Sequence, residues 1–263
     1  MKTALQFIKE LLGSGRYTFT LEEASQMLNK SGPALNLILQ RLKKDGWIVP
    51  FARRFYIVLD VQHQADGILD PAWFIDDWAR YHKVEYYVAG LSAAAAHSAA
   101  HQRPMVFQVM VDRQMRSITR AGLRLQLLNK RNIVKTMWSQ RKSFAGFYRV
   151  STPAMTAYDI VAYRRACPSL DLVASVLAEL GEAIEPNVLA LLPELGCKTV
   201  ILQRLGWLLS YTGWSEKADS LFSILDLKHL SWQAVDPKLE REGERDMKWK
   251  IIVNTHPDIE VMI

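Results

Sequence analysis

What this chain lacks narrows it first. Only Cys167 and Cys197 occur among 263 residues, too few for a disulfide framework or a cysteine zinc centre, and a reducing compartment suits them. No run of about 18 apolar residues exists to span a bilayer. The opening MKTALQFIKELLGSGR carries Lys9 and Glu10 inside its apolar pattern, unlike the uninterrupted core of a signal peptide, so a cytoplasmic location is expected. Phosphate-binding glycine loops, carboxylates clustered at metal spacing and a Ser/His/Asp order are missing. No catalytic residue, metal site or cofactor is therefore expected. Negative charge is absent over a long stretch: Arg113 to Tyr158 holds ten Lys or Arg and no Asp or Glu. That excludes a restriction-type metal nuclease, which would want a second acid and a lysine on a strand soon after Asp112.

What is present is an ordinary globular composition, 49% hydrophobic and 23% charged, at a length that suggests about two domains. The net charge of +6 conceals alternation. Lys and Arg stand to Asp and Glu as 9 to 5 over residues 1–60, 3 to 6 over 61–112, 12 to 1 over 113–165 and 9 to 15 over 166–263. Two basic blocks alternate with two acidic ones, so a polyanion partner contacts the first and third blocks, or the third faces the acidic fourth within one fold.

The first block has a readable order. Leu5, Ile8, Leu11 and Leu12 mark a first helix, Tyr17–Phe19 a short strand, and Thr20–Glu23 a capping box for a second helix running to about Leu28. A third helix starts at Ser31 or Gly32 as cap, with Pro33 in its first turn, and ends at Gly46. Leu35, Ile38, Leu39 and Leu42 form its inward face; Pro33, Asn36, Leu37, Gln40, Arg41, Lys43 and Lys44 point outward. A hairpin follows, with Arg53 and Arg54 at its turn and Tyr56 to Leu59 on its return strand. This is the order of a winged helix-turn-helix, whose third helix enters the DNA major groove while the wing meets the backbone or minor groove. Ser31, Asn36, Gln40, Arg41, Lys43, Lys44, Arg53 and Arg54 are the expected DNA contacts, against the alternative of a winged helix used for protein interaction.

Residues 61–70 read as a linker, and Asp70-Pro71 opens a helix over 72–81 with Trp73, Phe74 and Trp78 in its core. LSAAAAHSAAH is helical by its alanines. Its His97 and His101, at i and i+4, lack the glutamate beside the first histidine and any third ligand, and read as a surface or satisfied pair rather than a metal site. Met105–Val111 and Leu123–Leu128 are expected strands. Arg113, Arg116, Arg120, Arg131, Lys135, Arg141 and Lys142 form a candidate second basic surface. Trp138, Phe144, Phe147 and Tyr148 lie among them, read preferentially as core and alternatively as a cradle for nucleic acid. From Leu170 onward, four apolar helical stretches broken by Gly181, Pro193, Gly196 and Gly213 suggest a small bundle. Leu202, Leu205, Leu209 and Tyr211 are its expected core, and Gln203 and Arg204 its expected surface. DPKLEREGERDMK reads as a solvated turn region, and Trp249–Val253 as a strand pairing with Met105–Val111 or Leu123–Leu128.

TPAMTAYDIVAYRRA, with Thr152 as cap and Pro153 at its first position, then LDLVASVLAEL, QRLGWLLSYTG at Gln203–Gly213, WQAVDP and KWKIIVN together resemble the AbiEi family of antitoxins from bacterial type IV toxin-antitoxin systems. The resemblance covers nearly the whole chain, although that family often has a glycine where Phe55 precedes Tyr56. It implies a bifunctional protein. Residues 1–60 would be a winged helix-turn-helix that binds inverted repeats in double-stranded promoter DNA and represses transcription. Residues 71–263, an α+β antitoxin domain, would neutralise a companion nucleotidyltransferase toxin without forming a stable complex with it. The expected fold is thus α+β: an N-terminal winged helix-turn-helix followed by a mixed α/β domain with a helical C-terminal portion. A stand-alone regulator with a ligand-sensing or protein-interaction second domain, and an enzyme acting on nucleic acid, are the competing readings.

Overall fold

The computed structural model describes residues 3–65, 67–99, 104–120, 122–163, 167–225 and 230–259. Local signals set its first elements. Thr3 caps α1 (Ala4–Gly13) through a reciprocal box with Gln6, and Thr20 does the same with Glu23 for α2 (Leu21–Leu28). Each box satisfies amides that a first helical turn leaves without partners. Between the two helices runs β1 (Thr18–Thr20). Asn29 ends α2 in the left-handed region, and α3 (Gly32–Lys44) follows, ending at Asp45 ahead of Gly46 at φ +76°. The hairpin of β2 (Ile48–Ala52) and β3 (Phe55–Val58) completes an antiparallel sheet in the order β1-β3-β2, with Thr18 opposite Ile57 and Ile48 opposite Val58. This is the winged helix-turn-helix arrangement expected. Phe7, Ile8, Phe19, Leu35, Leu39, Leu42 and Val58 fill its core. One detail differs. Ser31 occupies the cap position of α3 with extended backbone but makes no side-chain cap bond, so the proline in the first turn is what favours the helical start.

The helix expected over 72–81 is two pieces. Asp70 accepts from the Ala72 amide to open a 3-10 turn at Pro71–Trp73, and α4 (Ile75–His82) follows. Phe74 and Trp78 are buried as expected, while Trp73 is half-buried. Next come β4 (Tyr86–Val88), α5 (Gly90–Ala96), β5 (Phe107–Val111), β6 (Ile118–Arg120) and β7 (Leu123–Asn129). The pair β8 (Trp138–Ser143) and β9 (Gly146–Ser151) follows, and the six strands form a sheet in the order β6-β7-β5-β4-β9-β8. Sequence patterning missed β6, β8 and β9. The reason is visible in β8, WSQRKS, whose central residues are all exposed because it is an edge strand, so burial imposes no apolar alternation on it.

The helical portion is α6 (Pro153–Ala162), α7 (Leu170–Leu180), α8 (Pro186–Ala190), α9 (Thr199–Tyr211) and α10 (Ser215–Phe222). A separate small sheet, ordered β10-β12-β11, is made by β10 (Gln233–Ala234), β11 (Glu244–Asp246) and β12 (Ile251–Val253). Two expectations fail here. The last strand pairs with β10 and β11 rather than with Met105–Val111 or Leu123–Leu128, and the charged run read as a turn region supplies β11. No helix among the described residues is long and apolar enough to cross a membrane.

The chain divides into two compact units, one of Met1–Tyr86, Val111–Arg131 and Gln140–Arg149, the other of Tyr87–Met110, Asn132–Ser139 and Val150–Ile263. Segment 61–70 thus falls inside the first unit. Within the second unit, Gln203 is fully buried, against the surface role expected of it. Its amide nitrogen donates to the carbonyls of Ser231 (3.0 Å) and Trp249 (2.9 Å). Tyr211, expected in the core, is 37% exposed and donates through its hydroxyl to the Pro257 carbonyl. Gly206 sits directly under the Trp249 ring. Asp159 is fully buried and accepts from the Tyr87 hydroxyl at 2.9 Å.

Two outcomes follow from this interior. A Cβ built at Gly206 lies 2.1 Å from the Trp249 ring, so Gly206→Ala is expected to destabilise the chain by about 2 kcal/mol, the scale of core overpacking; urea unfolding checks it, and an unchanged midpoint refutes it. Burial, followed by the Asp159 charge, holds the Tyr87 phenol well above its ordinary pKa. Burial also lifts Tyr158 to about 12. Both favour the neutral phenol in the folded state. Their contribution is complete below the unfolded pKa of about 10 and is lost as pH rises through the folded values. The unfolding midpoint should therefore fall from about pH 10 upward, and the share of tyrosinate absorbance lost in Tyr87→Phe and Tyr158→Phe should be the share that appears together with unfolding rather than before it.

Candidate nucleic-acid interface

The exposed side of α3 is set by what its other side buries. Leu35, Leu39 and Leu42 are 3–5% exposed, and each contributes about 2 kcal/mol relative to exposure to water. Ile38 lies at the edge of this stripe, half-buried. The opposite side presents Ser31, Asn36, Gln40, Arg41, Lys43 and Lys44 to solvent, every α3 residue expected at the interface. Arg41, Lys43 and Lys44 also occupy the last turn, where their charge complements the helix dipole. That placement serves the helix whether or not a ligand is bound.

The wing is a two-residue turn, Arg53-Arg54, both side chains exposed. Its backbone is held from two sides. The Tyr81 hydroxyl on α4 donates to the Arg53 carbonyl at 3.1 Å, and the Leu21 amide at the start of α2 donates to the Arg54 carbonyl at 2.9 Å. Phe55 packs against Tyr81 and Phe51 against Phe74, while Thr18 donates to Asp77 at 2.6 Å. Helix α4 is therefore a buttress behind the wing. The Arg54 guanidinium pairs with Glu22 at 2.6 Å, both about half exposed, so an incoming phosphate competes with a carboxylate already in place. Arg54 adopts φ +60°, an uncommon conformation for a residue with a Cβ.

The second basic set separates into parts. Arg113, Arg116, Arg120, Arg131, Arg141 and Lys142 belong to the same compact unit as the wing, and Lys135 to the other. All seven are exposed. Arg113 has a structural task, donating to the carbonyls of His82 and Lys83 at the end of α4. The aromatic residues do not follow the preferred core reading: Phe144 is 75% and Phe147 60% exposed at the β8–β9 turn. Phe144 stacks on Trp73 with ring centres 4.8 Å apart, which gives the tip an order that its sequence did not announce. Trp138 and Tyr148 are half-buried. Counting charges by unit, the first holds 20 Lys and Arg against 11 Asp and Glu, the second 13 against 16.

The remaining chemistry is sparse. His97 ends α5 and its Nε2 lies 2.7 Å from the Ser151 carbonyl; His101, its expected neighbour, lies outside the described residues. Among the described residues no three His, Cys, Asp or Glu side chains gather as a metal would require.

Comparison with known proteins adds family and fold. No curated protein matches the chain at a significant level. The crystal structure of the RV2827C protein from Mycobacterium tuberculosis superposes with a TM-score of 0.73, at 17% identity, over 94% of this chain and 90% of that one, a likeness that bears on fold alone. The family model for the AbiEi antitoxin C-terminal domain matches residues 87–211, a span that includes α6, α7 and most of the QRLGWLLSYTG segment. Over residues 87–211 this chain is thus similar to the antitoxin domain of the AbiEi family.

Proposed function

We propose that the protein is a cytoplasmic, non-enzymatic antitoxin that also represses its own operon. Residues 1–60 bind inverted repeats in promoter DNA through α3 and the wing. The C-terminal part, within 71–263, neutralises a companion nucleotidyltransferase toxin without a stable complex. The observation that carries the DNA half is the solvent-facing set Asn36, Gln40, Arg41, Lys43, Lys44, Arg53 and Arg54 on one winged-helix scaffold, amides for base edges and cations for phosphates. The excess of positive charge in the unit that contains it suits a polyanion. The antitoxin half rests on the family match over residues 87–211. Arg116, Arg120, Arg131, Arg141 and Lys142 extend the basic surface of the first unit beyond the winged helix, and DNA flanking the site is their natural partner; Lys135 stands apart on the other unit.

One variant separates the two activities. Changing Lys44, Arg53 and Arg54 together to Ala is expected to weaken promoter binding and to reduce the slope of log affinity against log salt by about one for each phosphate that is no longer neutralised. Co-expressed with the toxin gene, the same variant should still restore growth. Unchanged promoter affinity would overturn the DNA assignment. Failure of the wild-type chain to restore growth would leave a stand-alone regulator.

A further inference from the structure

The first half of α3 carries no charge. From Gly32 to Gln40 it holds no Lys or Arg, and its three cations stand at Arg41, Lys43 and Lys44. In a helix-turn-helix, residues toward the N-terminus of the third helix meet base edges. Base edges differ in what recognises them: guanine is read mostly by Arg or Lys, adenine by Asn or Gln across N6 and N7, and the thymine methyl by an apolar side chain. The first half of this helix therefore has no guanine reader. What it shows solvent is Gly32, Pro33 and Ala34 in its first turn, then Asn36, Leu37 and Gln40.

Leu37 is the informative member. It is 49% exposed on a helix whose apolar stripe is otherwise buried. At 100° per residue it lies about 60° from Gln40 and nearly opposite the Leu35, Leu39 and Leu42 stripe, so it points straight away from the protein. Leu37, even with the exposed Pro33 and Ala34 of the first turn, is far too small an apolar area for a subunit interface, which takes about 800 Å² per partner. Its polar and cationic surroundings match a polyanion that presents one methyl group at a time.

Resting on the promoter-binding reading above, we infer that α3 reads A·T base pairs. Leu37 packs on the 5-methyl group of a thymine, and Asn36 and Gln40 grip adenine through N6 and N7. Arg41, Lys43 and Lys44 hold phosphates and carry no base preference. Leu37 is thereby a specificity-determining residue, and the stretch of operator under the first half of the helix is A·T-rich.

The test uses the full chain and duplex DNA. Selection from randomised duplexes yields the preferred site, and each thymine in it is then replaced singly by deoxyuridine, which removes the methyl group and leaves every base-pairing edge intact. The expected result is a site with A·T pairs at its centre of contact and one thymine whose replacement weakens binding about 4-fold, the change for one buried methyl-sized group. Leu37→Ala, at an exposed position, should bind the thymine site about as weakly as wild type binds the deoxyuridine site, with no further loss on deoxyuridine. Selected sites dominated by G·C pairs, indifference to every deoxyuridine replacement, or unchanged affinity of Leu37→Ala would each overturn the inference while leaving promoter binding intact. If no duplex is enriched, it is the promoter-binding reading that fails, and the A·T preference falls with it.

Discussion

Burial of one leucine stripe decides the chemistry of the first sixty residues. Leu35, Leu39 and Leu42 sink into a core with Phe7, Ile8, Phe19 and Val58, and because a helix has fixed angular spacing, that act turns Asn36, Gln40, Arg41, Lys43 and Lys44 toward water as a set. No surface interaction is needed to hold them there. The ion pairs nearby, Arg16 with Glu23 and Arg54 with Glu22, are half exposed and are worth little beside the stripe, since solvent and salt screen them. The face presented to a ligand is thus a by-product of packing, and its rigidity is that of the core.

In the second unit the corresponding role falls to the meeting of α9 with the chain before β12. Gln203 supplies two donors to main-chain carbonyls, and Gly206 leaves room for the Trp249 ring. A buried amide that satisfies main-chain groups fixes which segment lies against the helix, where apolar contact alone would tolerate sliding. The QRLG segment that resembles the antitoxin family is therefore a structural joint. Its Arg204 also works on the main chain, donating to the Ala234 carbonyl at 2.8 Å.

Legibility in the sequence followed how strongly burial patterned each segment. α2 and α3 were readable almost to the residue, since a capping box, a first-turn proline and a terminal glycine bracket periodic leucines. The edge strand β8 was not, because an edge exposed on its flanks has no pattern to show. Gln203 was misplaced because a glutamine in a helix usually faces water, and nothing local reveals that two carbonyls from Ser231 and Trp249 await it. Phe144 and Phe147 were misplaced for the opposite reason: aromatic rings are assigned to a core by default, and only the turn geometry of β8 and β9 sets them outside. At the candidate site, the exposure of the α3 and wing residues was legible from helical spacing and the hairpin turn, whereas the buttressing of the wing by Tyr81 and the engagement of Arg113 with α4 depend on pairings about 30 residues apart in sequence.

The interleaving of the two units has a consequence for how such a protein changes over time. Each unit takes segments from both sides of the other's, alternating at residues 87, 111, 132, 140 and 150. No single cut in the chain leaves both units whole. Recombination at a crossover point between residues 86 and 150 would break at least one of them, so over that span the two units are inherited together. Divergence of either one must proceed by substitutions on exposed faces, residue by residue, within a chain whose two halves are tied by its own thread.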